Sequence, residues 1–224
     1  MTSIGTGTGT GDWVTLALVR HGETPMTPTG AYSGSGVPGP PLTAYGRAQA
    51  AAAGRMLARV GTVLFGDLPR PSVLISSPMV RAQETAQILA DELDDLPIGI
   101  DERARECHFG QWEGLTEADI DARWPGELDA WHVTGTTRPP GGESIAEVGE
   151  RTGELIADLL GTHAGSTVAI AAHAVTIRSM VGQCLGAPPG GWWRLRLEAA
   201  SLSLLQIYTD GLAKVHVAGL PSDA

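Results

Sequence analysis

The sequence predicts an α/β protein, a three-layer α/β/α sandwich around a mostly parallel central sheet. Three observations carry that expectation. Short apolar, β-branched runs alternate along the chain with stretches of helical character, as a parallel sheet covered on both faces requires. Hydrophobic residues make up 42% of the chain and aromatics only 5%, so the core must be built mainly from Ala, Leu, Val and Ile, which suits helices packed on a sheet. At 224 residues the chain is long enough for one well-buried core, and no charge run or long linker divides it.

The elements follow in order. Residues 3–11 alternate Gly and Thr but lack both a preceding strand and the Lys-Ser/Thr ending of a phosphate loop. Residues 1–11 are therefore read as a flexible tail, ahead of a single domain over residues 12–224. The run from Trp13 to Val19 is a buried strand, after which Gly22 lets the chain turn with little side-chain obstruction. Thr24 to Pro41, dense in Gly, Pro, Ser and Thr, is a long irregular loop of the kind that commonly carries function. Ala-rich Leu42 to Val60 favours helix. Ser72 to Ser76 is a short strand, and Ser77-Pro78 supplies an N-cap and first-turn proline for a helix reaching about Leu93. Pro97 to Ile100 is a further short strand, Glu106 to Gly114 is irregular, and Thr116 to Trp124 forms one short helix. Gly141 to Ser144 turns into a helix from Ile145 to Leu160, and Thr167 to Ala172 is a buried strand followed by a helix to about Leu185. Ser201 to Tyr208 and Ala213 to Val217 make a hairpin near the sheet edge.

Charge and composition exclude several functions. A formal net charge of -10 without a basic stripe argues against nucleic-acid and anionic-membrane partners. Salt screens that global charge beyond roughly 8 Å, so a local pair such as Arg20 and Arg81 can still hold an anion. Cys107 and Cys184 show no CxxC spacing, which points to free thiols in a reducing cytosol. No basic segment precedes an apolar run at the amino terminus, and no stretch approaches the roughly 20 apolar residues of a membrane span. A cytoplasmic protein is expected.

The segment Leu18-Val19-Arg20-His21-Gly22-Glu23-Thr24 sets an arginine and a histidine side by side where a hydrophobic run ends. Residues at the carboxyl end of such a strand face the crevice where α/β folds bind ligands. A lone histidine there is more often structural than catalytic, but three other segments accompany it. They are Ser76 to Ala86 with Arg81 in the first turn of a helix, Glu106 to Gly114, and Ala171 to Arg178 with His173 at a strand end.

Together these segments resemble the histidine phosphatase superfamily, also called the phosphoglycerate mutase-like family, with the motifs in the family's order from Arg20 to His173. The resemblance implies a phosphoglycerate mutase-like sandwich and a phosphomonoester hydrolase of the histidine acid phosphatase type, acting without a cofactor or metal on small phosphorylated metabolites. His21 would be the nucleophile, its other ring nitrogen held protonated by a backbone carbonyl near Gly22. Arg20, Arg81 and His173 would complete an Arg-His-Arg-His quartet around the transferring phosphoryl group. Glu106, at the head of the Glu-x-x-Phe/Tyr-Gly segment, matches the family's proton donor and would activate water in the second half-reaction. Glu113 is the rival carboxylate, with a loop-shaping role, and Glu23 orients the loop.

Two positions depart from the commoner pattern. Thr27 stands where many relatives contact phosphate through asparagine, and Ala174 where most have glycine; both are assigned to phosphate binding. His173-Ala174-Val175-Thr176, the loop Tyr32 to Gly39 and Ala200-Ser201-Leu202-Ser203 are nearer to a subgroup of α-ribazole phosphatase-like enzymes and bacterial acid phosphatase domains fused to ribonuclease H. Too few residues precede the first motif for the ribonuclease part to be expected here.

Competing readings share these residues. A cofactor-dependent phosphoglycerate mutase would use the same quartet, but such relatives carry a long insertion after the Glu106 segment and a closing tail, so hydrolysis is preferred. A non-catalytic phospholigand-binding module is the second alternative. A metal-dependent hydrolase built from Cys107, His108 and His132 is the weakest, because adjacent side chains usually diverge. Candidate substrates include α-ribazole phosphate, sugar phosphates and phosphoglycerates, and a homodimer is compatible with the chain. Trp192 and Trp193 are given no functional weight, and His132, His163 and His216 are taken as structural or exposed.

Overall fold

The computed structural model describes residues 11–222. The tail expected over residues 1–11 lies, apart from Gly11, outside the described residues. Six strands, β1 (Trp13–Arg20), β2 (Pro71–Ser76), β3 (Ile98–Ile100), β4 (Thr167–Ala172), β5 (Leu202–Tyr208) and β6 (Ala213–Leu220), form one sheet in the order β3-β2-β4-β1-β5-β6. β1 pairs with β4 in parallel from Thr15↔Thr167 to Arg20↔Ala172, and β2 is parallel to both β4 and β3. The expected hairpin closes the edge, with β5 antiparallel to β1 and to β6.

The period-two alternation of the strands divides the core. On one face Ala17, Val19, Leu74, Ala169 and Ala171 pack against α1 (Ala44–Leu57) and α2 (Val80–Asp91) through Ala53, Leu57, Ala86 and Leu89. On the other, Val14, Leu16, Leu18, Val168 and Ile170 meet α5 (Ile145–Thr162) and α6 (Ala174–Cys184) through Leu155, Leu159, Ile177 and Met180. This is the three-layer α/β/α arrangement. Its helices begin as their sequences dictate. Thr43 caps α1 by accepting from Gly46 N at 2.9 Å, and Ser144 with Glu147 forms a capping box on α5.

Two helices that the sequence did not announce lie outside the sheet layers, α4 (Glu127–Thr134) and the single turn α7 (Pro189–Trp192). Left-handed Gly126 and Gly135 bracket α4, which buries only Leu128 and Trp131 and so carries no apolar stripe to read. With α3 (Glu117–Arg123) they cover a separate apolar cluster of Tyr32, Phe109, Trp112, Ile120, Trp131 and Trp192. This cluster forms a cap beside the carboxyl ends of the parallel strands. One other detail departs from the sequence reading: α2 starts at Val80 with Met79 at its N-cap, so Ser77 is released for another partner.

Candidate active site

The carboxyl ends of the three central strands bring the motifs together. Arg20 ends β1 and His21 follows it, the His21 amide continuing the ladder to Ala172 O at 2.9 Å. Ser77 follows β2, its amide bonding Ala171 O at 3.0 Å, and His173 follows β4 as the residue before α6. Arg81 sits in the first turn of α2. The rings of His21 and His173 lie 5.2 Å apart between centroids. Gly22 is required because a Cβ there would stand 2.2 Å from Gly46 O, where the start of α1 crosses the loop.

His21 is buried, and its Nδ1 donates to Gly22 O at 2.7 Å. That bond places the proton on Nδ1 and leaves Nε2 with a free lone pair. Burial, then the charges of Arg81 and Arg20, hold the imidazole well below its ordinary pKa, so it is neutral at pH 7. His173 is fully buried and is likewise pushed well down, by burial and by Arg81. Its Nε2 lies 2.7 Å from Ser77 Oγ, which itself accepts from Met79 N at 3.3 Å. Nδ1 of His173 has no partner, and with the Ser77 hydroxyl donating to Nε2 the ring proton would sit there.

Both guanidiniums are only partly satisfied. Arg20 donates from one Nη to Leu197 O at 2.6 Å, while its Nε has no partner. Arg81 donates from one Nη to Ser33 O at 2.7 Å and Gly34 O at 3.1 Å, leaving Nε and the other Nη unpaired. Burial lowers the pKa of each, opposed by Glu106, yet an arginine remains charged. The pocket floor thus holds unpaired buried donors on Arg20 and Arg81, and an unpaired Nδ1 on His173, around one neutral nucleophilic nitrogen. Buried donors of this kind are normally paired.

Glu106 is buried at the amino end of α6, where its carboxylate accepts from the amides of Cys107 at 2.9 Å and of Val175 and Thr176 at 3.3 Å each. Unpaired first-turn amides make a helix amino end a fitting place for a carboxylate. Glu106 shares with His21, Thr27 and Ala174 the wall of a cleft of about 220 Å³. Thr27 Oγ1 accepts from Thr24 N at 3.0 Å and shares a hydrogen bond with Thr24 Oγ1. Glu113 instead ties the loop, accepting from Gly34 N, Gly36 N and Phe109 N, and Glu23 accepts from the Thr43 hydroxyl at 2.9 Å. Both therefore act on loop shape, as the sequence reading assigned. No group of three or more His, Cys, Asp or Glu is placed to hold a metal ion among the described residues. Cys107 Sγ donates to Glu143 O at 3.4 Å and His132 stacks on Trp193 at 3.8 Å, so the two side chains serve different neighbours. No helix is long and apolar enough to cross a membrane among those same residues.

Tyr32, Glu117, Arg178 and Trp193 are among the further residues that line the cleft without having been assigned as site residues. Trp193, given no functional weight from the sequence, is a cleft wall, whereas Trp192 is buried and donates to Ala187 O at 2.8 Å. Ser77, expected as a helix cap, is the partner of His173. No spacing rule flags these positions, although Ser77 and Arg178 stand inside quoted motifs.

Residues 16–218 match the histidine phosphatase superfamily (branch 1), and the chain belongs to that superfamily. It is similar to a bifunctional protein of Mycobacterium tuberculosis, with 35% identity over 202 residues covering 90% of this chain and 52% of that protein. The chain thus spans about half the length of that relative. It is 34% identical to the glucosyl-3-phosphoglycerate phosphatase of Mycolicibacterium vanbaalenii over 79% of this chain and 76% of the relative. A 2,3-bisphosphoglycerate-dependent phosphoglycerate mutase of Brucella anthropi is 32% identical over 78% of this chain and 83% of its own. Among solved structures, a mycobacterial glucosyl-3-phosphoglycerate phosphatase complexed with VO3 superposes with a TM-score of 0.81 at 30% identity, covering 92% of this chain and 99% of that one.

Proposed function

We propose that this chain is a phosphomonoesterase of the histidine acid phosphatase type that works through a phosphohistidine on His21. The observation that carries the reading is the set of unpaired buried polar groups on Arg20, Arg81 and His173 around a neutral His21 whose tautomer is fixed by Gly22 O. A phosphoryl group satisfies all of them. Its equatorial oxygens take the two guanidinium forks and the Nδ1 proton of His173, with Thr27 and the first amide of α6 at Ala174 as additional donors.

In the first half-reaction Nε2 of His21 attacks phosphorus, the P–O ester bond breaks, and Glu106 gives its proton to the departing alkoxide. In the second, the Glu106 carboxylate takes a proton from water as the oxygen attacks phosphorus. The P–N bond breaks and inorganic phosphate leaves. Donors already fixed in a buried pocket need little reorganisation during transfer, which is where most of the rate enhancement arises. A cleft of about 220 Å³ suits small phosphorylated metabolites, and the glucosyl-3-phosphoglycerate phosphatase relative supports phosphoglycerate esters as first candidates.

The test follows free phosphate and phosphoglycerate interconversion together, with a generic aryl phosphate and a phosphoglycerate pair, in the wild type and His21→Ala. Phosphate release that depends on His21 and exceeds interconversion is the expected result. The mutase relative favours one second reading, transfer back to the substrate, and interconversion exceeding release would establish it. Binding of phosphate without either reaction would leave a phospholigand-binding module.

A further inference from the structure

We infer that Glu143 and Arg151 are positioning residues for the proton donor Glu106, a buried ion pair that holds the irregular segment around it so that its carboxyl group stays at the cleft. The inference rests on the phosphatase reading of the same site and adds to it the device that keeps the general acid in register with the phosphate pocket.

Glu106 stands in irregular chain between two short 3-10 turns, Glu102–Ala104 and Gly110–Trp112, and belongs to no strand or helix. A catalytic group displaced by about an ångström loses much of its effect, so something outside the segment has to hold it. The amino end of α5 supplies that support. Glu143 immediately precedes the Ser144 cap of that helix. Its carboxylate accepts from His108 N at 2.9 Å, from an Arg105 Nη at 2.7 Å and from Arg151 Nε at 3.2 Å. Its backbone is used as well: Glu143 N donates to His108 O at 2.7 Å, and Glu143 O accepts from Cys107 Sγ at 3.4 Å. Arg151, further along α5, donates from one Nη to Arg103 O at 2.6 Å. Arg103, Arg105, Cys107 and His108 are thereby tied to one helix end, on both sides of Glu106. A Cβ at Gly142 would stand 2.4 Å from His108 O, so the turn into α5 packs directly on the segment.

The chemistry of the pair suits this task better than it suits stability. Arg151 is buried, and taking its charge out of water is repaid only when its bonds are well made. Burial lowers its pKa, opposed first by Glu143, yet the guanidinium remains charged. Its Nε and one Nη go to Glu143, and the other Nη goes to a carbonyl of the Glu106 segment. Well-packed apolar residues of the same volume often serve stability as well or better. Apolar groups could not hold the amides and carbonyls of a segment that has no ladder of its own. Neither Glu143 nor Arg151 lines the cleft, so their influence on transfer passes through the segment they hold.

The experiment compares kcat/KM for two esters. One is nitrophenyl phosphate, whose phenolate departs with little help. The other is an alkyl ester, whichever of 3-phosphoglycerate and glycerol 3-phosphate the wild type hydrolyses faster, whose alkoxide needs a proton as it leaves. Glu106→Gln sets the reference, with a much larger loss on the alkyl ester than on the aryl ester. Glu143→Gln and Arg151→Met should repeat that pattern in weaker form, with circular dichroism checking the fold. A loss of about 10- to 100-fold is expected on the alkyl ester and less than about threefold on the aryl ester. Arg151→Lys keeps the charge and should fall in between, and it carries the test if the other variants do not fold. Phosphohistidine on His21 is trapped in parallel for every variant. Equal losses on both esters in the folded Glu143 and Arg151 variants, or no loss on either, would overturn the positioning role, while the His21 label and the Glu106→Gln pattern left the phosphatase reading standing. An equal fall on both esters in Glu106→Gln, or no label on His21 in the wild type, would instead bring down the phosphatase mechanism and this inference with it.

Discussion

The floor and the outer wall of the cleft are built in different ways. The floor comes from residues at the ends of three adjacent strands and the first turn of one helix: Arg20 and His21 after β1, Ser77 after β2, His173 after β4, and Arg81 in α2. His21 and Ser77 are fixed by backbone bonds that continue the sheet, His173 by its place between β4 and α6, and Arg81 by the first turn of α2. The wall comes from Tyr32 in the long loop, Glu117 at the start of α3, Arg178 in α6 and Trp193 after α7, joined by aromatic contacts such as those of Trp131 and His132. The contrast separates two tasks. Transfer of a phosphoryl group needs donors fixed to fractions of an ångström, which a sheet provides. Discrimination among leaving groups tolerates a wall drawn from loops and short helices.

The largest expected effect breaks the floor alone. His21→Ala removes the nucleophile and should lower phosphate release by at least about a thousandfold while the fold, read by circular dichroism, is retained. Arg81→Ala comes next. Losing one set of fixed donors to the transferring oxygens should cost about 100- to 1,000-fold in kcat, with a smaller change in KM, read by steady-state kinetics. Should Arg81→Ala change KM alone, the floor would bind ground state and transition state equally.

Ser77→Ala sharpens the comparison further, because Ser77 touches His173 and not the phosphoryl group. Without the hydroxyl, the neutral ring can place its proton on either nitrogen. About a tenfold loss in kcat/KM and weaker inhibition by vanadate are expected, with partial rescue by Ser77→Thr. Nitrogen chemical shifts of His173 would report the tautomer directly, and a stability loss with unchanged vanadate inhibition would reduce Ser77 to a packing role.

The last effect touches neither wall nor transfer and is read in stability against pH. His21 and His173 are held neutral in the fold, with pKa values well below 6.5, whereas in the unfolded chain they titrate near 6.5. Below that pH the unfolded state binds protons that the folded state refuses. Stability should therefore fall on acidification below about pH 6.5 and should be insensitive to these groups above about pH 7. Denaturant unfolding between pH 7.5 and 5 checks this. A variant lacking both histidines should show a shallower slope over the same interval.

The same contrast governs how much could be read from the sequence. Strand β4, Thr167–Ala172, is buried at every residue and stands out as a continuous apolar run, so its bounds and the position of His173 at its end were legible. Arg20, His21 and Arg81 were legible for a similar reason, since each adjoins an element whose start or end is marked by composition. Glu113 was read as loop-shaping from its place in Trp-Glu-Gly, and its carboxylate does accept from the loop amides of Gly34 and Gly36. The wall was legible only in part: the long loop from Thr24 to Pro41 read as functional and supplies Tyr32, whereas Arg178 and Trp193 were not marked. α4 buries too few side chains to show a helical period, and Trp193 meets Arg178 and His132 only through tertiary packing. Ser77 misled because Ser-Pro before a helix is a good capping signal, and the hydroxyl found a stronger partner in a buried imidazole.

The central claim is that the floor carries a covalent phosphoryl group on His21. Rapid quench of the wild type with an excess of aryl phosphate, followed by peptide mapping in alkali, tests it most directly. The account predicts an acid-labile, alkali-stable phosphate on the peptide containing His21, formed within one turnover and lost in His21→Ala. Phosphate release at full rate with no label on His21, or in His21→Ala at the wild-type rate, would contradict it.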